Sequence, residues 1–411
     1  MVTGRAEVFL AEPPAPVYLR TEPSDKGTAR MFLTNQDVIE LAAWRRKLHA
    51  MPEISGEEVA TAAEVQGFLA DTKPDRVVSG LGGTGVAVVY DSGVPGPTVM
   101  FRAELDALPI DEIGTPEYRS KIHGKGHMCG HDGHMTMLAA LGRQLGRDRP
   151  KRGRAILLFQ PAEETGAGAA AVIADEKFAE LVPDFSFSLH NMPGLPLGHV
   201  WLKDGIANCA SRGLKIALSG RTAHASMPET GISPVPAAAK LMPALTALSE
   251  GSIATEDMVL ATVTHASVGE PAFGIAPGYA EVWVTLRTMT DAGMDALAAA
   301  AETLVRDIAA EERLGHALEY HDIFVHSEND PEAAAVLRAA MDAEGVPHEP
   351  GETMRGSEDF GRFGSVSKSA MFFLGAGEDM PNLHNPNYDF PDDLIPIGTR
   401  IFTRVARDML G

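Results

Sequence analysis

Residues 126–135, GHMCGHDGHM, place three histidines, a cysteine and an aspartate within ten positions of a chain that has only two cysteines. Such polarity is unsuited to a core strand, and a solvated loop has no need of these side chains. Thiolate, imidazole and carboxylate groups together are preferred by zinc, manganese, cobalt or nickel, whereas calcium and magnesium prefer oxygen ligands. The segment is therefore a candidate site for a transition metal.

More groups of the same kind follow predicted strands elsewhere in the chain. Nearly continuous apolar runs, typical of strands buried on both faces of a parallel sheet, occupy residues 85–90, 98–103, 154–160, 185–190 and 369–374. The donors at or beyond the ends of these runs are Glu104, Asp106, Glu163, Glu164, His190 and His384. Functional groups of open parallel sheets collect at the carboxyl ends of the strands. We therefore expect these side chains to converge with Cys129 and His131 at one edge of one sheet.

This set contains more donors than one metal ion needs. A catalytic site with one metal uses about three protein ligands and keeps an open position for water. We therefore predict two divalent ions (Zn, Mn, Co or Ni) that share a bridging water and lie about 3.5–4 Å apart. The adjacent carboxylates Glu163 and Glu164 suggest that one binds metal while the other is the general base. The alternative is a solvated pair stabilised by a helix dipole.

The pattern of predicted elements indicates two domains. At 411 residues the chain exceeds the roughly 250–300 residues at which single cores stop growing. Residues 31–206 and 326–411 predict an α/β catalytic domain with a mostly parallel sheet. Between them, residues 207–325 follow the order β-α-β-β-α-β, which is typical of a ferredoxin-like α+β domain. The Pro-rich, polar residues 1–30 predict a loosely held N-terminal arm.

Two helix boundaries are indicated by capping residues. Thr34 is a predicted N-cap with Asp37 three residues later, as in a capping box. Near residue 331, Asp330 fits an N-cap, Pro331 the first helical position and Gly345 the position after the helix.

Composition limits the partners. Lys+Arg 35 against Asp+Glu 56 gives a net charge of −21, which repels nucleic acid and anionic membranes. No apolar run reaches transmembrane length. Two cysteines cannot form a disulfide framework and favour a reducing compartment. These features predict a cytoplasmic protein that acts on a small molecule, without nucleic-acid or membrane partners.

Seven segments, in order from about residue 35 to the C-terminus, resemble the M20 metallopeptidases. They are WRRKLHAMPEISGEE, FRAELDALPI, MCGHDGHM, PAEET, SLHNMPGLPLG, GRTAHASMP and GSEDF. The branch they most resemble is that of the amidohydrolases, which includes hippurate hydrolases, N-acyl-amino-acid deacylases and auxin-conjugate hydrolases. The resemblance implies Glu163 as general base of a dinuclear site whose ligands are Cys129, His131, Glu164, His190 and His384.

The resemblance also implies roles outside the ligand set. The inserted domain would mediate dimerisation, giving a homodimer or a homotetramer of two dimers, and His224 would reach the partner's active site to stabilise the oxyanion. Ser357 and Asn191 would contact substrate. Arg287 either clamps a substrate carboxylate or pairs with an acidic side chain.

Asp106 is expected to orient a metal ligand, and His134 to support the site rather than bind metal. The chain also departs from the family pattern. Gly274 stands where the family often has asparagine, and Trp283 is expected near the pocket. Both departures predict altered substrate recognition.

The predicted reaction is hydrolysis of the C–N bond of a small N-acyl amino acid or related amide by an activated water, with Glu163 accepting the proton. One alternative is a different C–N substrate, such as an aryl amide, or an aromatic amine removed by water attack on a ring. Another is an inactive metal-binding assembly protein. A free base beside a full ligand set argues against the second alternative, because a binding protein needs no base.

Overall fold

The computed structural model describes residues 33–251 and 257–411, and the arm predicted at residues 1–30 lies outside them. The strands are β1 (Arg76–Leu81), β2 (Gly85–Asp91), β3 (Thr98–Glu104), β4 (Arg154–Gln160), β5 (Phe185–Pro193), β6 (Val200–Trp201), β7 (Gly205–Asn208), β8 (Ala210–Ser219), β9 (Ala223–His224), β10 (Val259–Val268), β11 (Ile275–Ala276), β12 (Tyr279–Thr288), β13 (Gly315–Phe324), β14 (Ser327–Asn329), β15 (His348–Glu349) and β16 (Lys368–Gly377). The α-helices are α1 (Asn35–His49), α2 (Val59–Leu69), α3 (His131–Arg147), α4 (Gly168–Ala174), α5 (Val235–Thr246), α6 (Asp291–Glu311), α7 (Pro331–Glu344) and α8 (Leu394–Leu410).

The larger sheet has eight strands in the order β1-β2-β4-β3-β5-β16-β6-β15. Its central strands β4, β3, β5 and β16 run parallel, so the predicted mostly parallel sheet is confirmed. At one edge β1 and β2 run antiparallel to their neighbours. The apolar run at 85–90 was expected to form a parallel strand, and this expectation is wrong because the run forms β2, which is antiparallel. The connection between β1 and β2 spans only residues 82–84, which is too short for a parallel crossover.

Helices cover both faces of this sheet. Side chains of a strand point alternately to its two faces. Phe101 therefore packs in the core shared with α1, α3, α7 and α8, whereas its neighbour Met100 packs on the opposite face with α4. Among the described residues, no helix combines the length and the apolar character needed to cross a membrane. The carboxyl ends of the central strands stay uncovered by these layers, and the polar segments emerge there.

A second sheet lies within the predicted insertion. Its four strands are antiparallel, in the order β10-β12-β8-β13. Helices α5 and α6 share a separate apolar core with it, and the element order is that of a split βαβ unit. Before and after this sheet, β7 and β14 pair with each other in antiparallel register. The chain thus passes to and from the second sheet along two hydrogen-bonded strands.

The predicted helix boundaries are confirmed. Thr34 and Asp37 form a reciprocal capping box at the start of α1. The Asp330 side chain accepts from the backbone of α7, Pro331 is its first residue, and Gly345 ends it with φ 63°.

Candidate dinuclear metal centre

The metal-type donors meet at the carboxyl ends of the central strands. Ligand atoms of Cys129, His131 and His190 lie within 4.8 Å of one another, and the same holds for Cys129, Glu164 and His384. A third group joins His131 and Glu164 to Glu163. The first two groups share Cys129, an arrangement that offers two adjacent positions for cations with one thiol between them. The five ligands predicted from sequence are thus all brought together.

Local backbone geometry delivers these donors. Gly130 precedes α3 with φ 91°, and a Cβ there would lie 2.3 Å from the Asn191 Oδ1 atom. Only glycine therefore lets Cys129 and His131 approach β5 this closely. Ala162, which directly precedes Glu163, and His384 both adopt positive φ, at 49° and 65°. Such conformations cost about 1–3 kcal/mol and are concentrated at functional sites.

Two of the histidines, His131 and His190, contact a backbone carbonyl oxygen through Nδ1, which leaves their Nε2 atoms for the cluster. His131 Nδ1 lies 2.8 Å from the carbonyl oxygen of Asp106, and His190 Nδ1 lies 2.8 Å from that of Asn191. The His190 Nε2 atom lies 3.4 Å from Cys129 Sγ. His131 Nε2 and Glu164 Oε1 are buried without a hydrogen-bond partner among the described residues. Buried polar atoms normally have partners, so this donor set fits divalent transition-metal ions.

Asp106 orients two of these ligands at once. Its Oδ2 atom accepts hydrogen bonds from Ser55 Oγ at 2.7 Å and from the backbone nitrogen of Glu164 at 3.0 Å. Its carbonyl oxygen contacts His131, as described above. The side chain itself is fully buried. Asp106 therefore holds the loop that carries Glu164.

Carboxylate charge is concentrated around Glu163. Burial, followed by the Glu358 carboxylate, raises the pKa of Glu163 well above its usual range. Burial also raises the pKa of Glu164 to about 7. Below them, fully buried Arg102 contacts Glu358 at 2.9 Å and Asp359 at 2.6 Å. The carboxylates beside the ligand cluster therefore exceed the cationic side chains there, and this excess favours binding of cations.

His134 supports the site from beneath. Its Nδ1 atom lies 2.6 Å from Glu104 Oε2, and its Nε2 atom lies 2.5 Å from Asn191 Oδ1. Asn191 in turn donates from Nδ2 to the Tyr388 hydroxyl at 2.7 Å. Asn191 is fully buried and does not line the cavity described next. The prediction that Asn191 contacts substrate is therefore wrong. Its Oδ1 atom contacts His134 and its Nδ2 atom contacts Tyr388, so both polar atoms of the amide already have partners.

A cavity of about 540 Å³ opens beside the cluster, and Cys129, Glu163 and Glu164 line it. Arg287 and Ser357 line it as well, where sequence analysis expected substrate contacts. Arg287 donates to the Arg355 carbonyl oxygen at 2.9 Å and to Ser357 Oγ at 3.0 Å. Both acceptors are neutral, so the guanidinium is not paired with any acid in the described part of the chain.

Three other predicted residues do not line this cavity. His224 is exposed on β9, with Nδ1 2.7 Å from the Ser226 hydroxyl. Gly274 lies beside it, and its carbonyl oxygen accepts a hydrogen bond from Ala225 at 3.0 Å. Trp283 lies two residues before Thr285, which does line the cavity, and its ring packs against His265. Trp283 is thus adjacent to the pocket without forming its wall.

A charge cluster behind α3 was missed from sequence. Arg45 of α1 contacts Asp132 at 3.1 Å, Asp389 at 2.7 Å and Asp392 at 2.9 Å. Asp132 follows the candidate ligand His131, and Asp389 lies five residues beyond the candidate ligand His384. Arg45 therefore ties together the two segments that carry these ligands. The adjacent basic residues in WRRKLH were the only sequence signal, and they do not name their partners.

His49 of this cluster gives a pH-dependent contribution to stability. Burial lowers its pKa, but Asp132 at 2.9 Å outweighs burial, and the pKa rises to about 9. A raised histidine pKa stabilises the folded state below the ordinary value of about 6.5, and this contribution is lost as pH rises through 9. The shift corresponds to on the order of 3 kcal/mol.

We therefore expect the free energy of unfolding of metal-free protein to fall between pH 6.5 and 9.5 more steeply than that of His49→Gln. Urea denaturation at several pH values measures both proteins. Parallel curves for the two would contradict a charged, paired His49.

Comparison with known proteins agrees with this geometry. Residues 100–408 match the family described as Peptidase family M20/M25/M40. A hippurate hydrolase of Campylobacter jejuni is 30% identical over 369 residues, covering 88% of this chain and 94% of that protein. An N-acetylcysteine deacetylase of Bacillus subtilis is 27% identical over 369 residues, with the same coverage. The crystal structure of a Bacillus subtilis dinuclear metal binding peptidase from the M20 family superposes with a TM-score of 0.76 at 24% identity, over 92% of this chain and 99% of that chain. The chain is therefore a member of peptidase family M20/M25/M40 and, like its named relatives, a hydrolase.

Proposed function

We propose that this protein is a metal-dependent amidohydrolase that cleaves the C–N bond of a small N-acyl amino acid or related amide. The observation that carries this proposal is the position of Glu163, a buried carboxylate that lines the cavity beside five converging ligand-type side chains. The relatives support the substrate class, because hippurate and N-acetylcysteine are both N-acylated amino acids.

The proposed cofactors are two divalent transition-metal ions held by Cys129, His131, Glu164, His190 and His384. The His131 Nε2 and Glu164 Oε1 atoms favour this assignment, because they are buried 3.8 Å apart and neither forms a hydrogen bond among the described residues. When bound, such ions polarise the substrate carbonyl and make water acidic enough to attack near neutral pH. The mixture of sulfur, nitrogen and oxygen ligands suits Zn, Mn, Co or Ni. A thiol ligand also suits a reducing compartment, and we propose a cytoplasmic location.

Glu163 acts as general base and then as general acid. Its carboxylate accepts the proton of the attacking water and delivers it to the nitrogen of the leaving amine, so that the amine departs neutral. Burial keeps bulk water from exchanging this proton between the two steps. Arg287 positions the substrate by pairing its guanidinium with the carboxylate of the amino-acid half.

We propose that the active form is a homodimer, or a homotetramer of two dimers, in which His224 acts on the partner's substrate. His224 is exposed, does not line the cavity of its own chain, and uses only Nδ1 in a hydrogen bond. Its Nε2 atom is therefore available to a second chain. Donation from Nε2 to the carbonyl oxygen would stabilise the charge that develops there.

Removal and return of metal tests the proposed function. Protein stripped with a chelator should lose activity, and Zn, Mn, Co or Ni should restore it at about two ions per chain. The substrate panel should contain N-acyl amino acids, an aryl amide and an aromatic amine, with release of amino acid, aryl amine and ammonia measured separately.

Cys129→Ser should lower metal content and activity, whereas Cys209→Ser is the matched control, because Cys209 is buried with Met258 and Met289 and does not itself line the cavity. Full activity in metal-free protein, or release of ammonia from the aromatic amine alone, would contradict the proposal.

A further inference from the structure

The cavity has a second wall that belongs to the four-stranded sheet. Two pairs of residues, each two positions apart on one strand, line it: Ser211 and Gly213 on β8, and Thr285 and Arg287 on β12. Asp322 and Phe324 of β13 line it as well. Residues two apart on a strand face the same side of the sheet. Arg287 and Phe324 both pair with Ser211, so these strands lie side by side with β8 in the middle. The metal-ligand cluster occupies the other wall.

Asp322 reaches this wall because β13 contains a bulge. His321 pairs with Gly213, but Phe324 rather than Ile323 pairs with Ser211, so β13 carries one extra residue. Bulges of this kind redirect a side chain and are common beside active sites. Asp322 adopts φ 48°, a left-handed conformation that aspartate tolerates better than most residues. The bulge thus places a carboxylate in the cavity.

The charge of Asp322 has no partner within the described residues. Its carboxylate forms no hydrogen bond and no ion pair there. Glu358, another carboxylate on the cavity, differs because Arg102 pairs with it. Arg287 is likewise bound only to neutral oxygens. The wall therefore presents one unpaired cation and one unpaired anion, carried by strands whose backbones lie two strand spacings, or roughly 9–10 Å, apart.

We propose that Asp322 binds an ammonium group on the side chain of the substrate's amino-acid half, so that the preferred substrates are N-acyl amino acids with a lysine-like side chain. This inference rests on the proposed function. The scissile carbonyl must lie at the metal-ligand cluster. The acyl group is then on the side of the cluster, away from the four-stranded sheet. Arg287 and Asp322 share the remaining wall, so the carboxylate and the ammonium belong to the same half of the substrate.

A matched pair of substrates tests the inference on the full-length, metal-loaded protein. Nα-acetyl-L-lysine and Nα-acetyl-L-norleucine have side chains of similar length, and only the first carries an ammonium group. Charge-assisted hydrogen bonds contribute enough for an expected preference of about 10- to 100-fold in kcat/KM for acetyl-lysine. Asp322→Asn should remove most of that preference through a fall in kcat/KM for acetyl-lysine, while the metal content stays at the wild-type level. Asparagine also tolerates positive φ, so the bulge should persist.

Glu319→Gln is the matched control, because Glu319 is an exposed acid on the same strand that does not line the cavity. It should keep the wild-type preference. Binding of the product supplies a readout independent of turnover: calorimetry should show L-lysine binding more tightly than L-norleucine in wild type and equally in Asp322→Asn.

Equal preference in wild type and Asp322→Asn, or a wild-type preference for acetyl-norleucine, would overturn the inference and leave the proposed function intact. Failure to hydrolyse any N-acyl amino acid would overturn both.

Discussion

Replacement of Glu163 by glutamine is expected to lower kcat by about 10²- to 10⁴-fold while metal content stays at the wild-type level. Glutamine has nearly the shape of glutamate but cannot accept a proton from water. Glu163 is the carboxylate of the cluster that lies outside the proposed ligand set, so its loss should spare the ions. Initial rates with the best N-acyl amino acid and elemental analysis of the same samples measure both quantities.

The matched variant is Glu163→Asp, which keeps the carboxylate but shortens the side chain, and an intermediate rate is expected for it. Turnover within a few-fold of wild type in Glu163→Gln would remove Glu163 from the mechanism. Loss of metal together with activity would instead make Glu163 a metal ligand. Its carboxylate lies within 4.8 Å of ligand atoms of His131 and Glu164, so the position would allow this role.

His224→Ala is expected to lower kcat by about 10²- to 10³-fold, the usual cost of removing one donor to a developing oxyanion. Metal content should not change, because His224 lies away from the ligand cluster of its own chain. His316→Ala, which removes an exposed histidine on β13 of the four-stranded sheet that does not line the cavity, should retain activity.

Mixing His224→Ala with Glu163→Gln separates action within a chain from action across a dimer. Random reassociation at equal concentrations makes about half of the dimers mixed, and each mixed dimer has one site with both residues intact, so about a quarter of wild-type activity should return. Activity that stays at the level of the separate variants after subunit exchange would refute the shared site.

Local rules predicted the elements well. The caps at Thr34, Asp330 and Gly345 depend on a few neighbouring residues, and the structure has all three. Four of the five continuous apolar runs form the parallel strands β3, β4, β5 and β16, whereas the run at 85–90 forms the antiparallel strand β2. The rule that donors collect beyond the carboxyl ends of such strands was enough to group Cys129 with His384, although 255 positions separate them.

The sequence could not predict features that depend on strand register or on partners distant in the chain. Asn191 follows His190 directly, yet its side chain turns into the core because β5 alternates its faces. Asp322 reaches the cavity through one extra residue in β13, which no propensity indicates. The acidic partners of Arg45 lie 87 to 347 positions away, and nothing near WRRKLH identifies them.

The paired strands β7 and β14 have a mechanical consequence. They carry both passages of the chain between the two sheets, and Asn208 of β7 itself lines the cavity. A two-stranded ribbon twists more easily than a wide sheet. Rotation about it would move Arg287 and Asp322 relative to Glu163, so one hinge angle sets both the grip on the substrate and the alignment of its scissile bond.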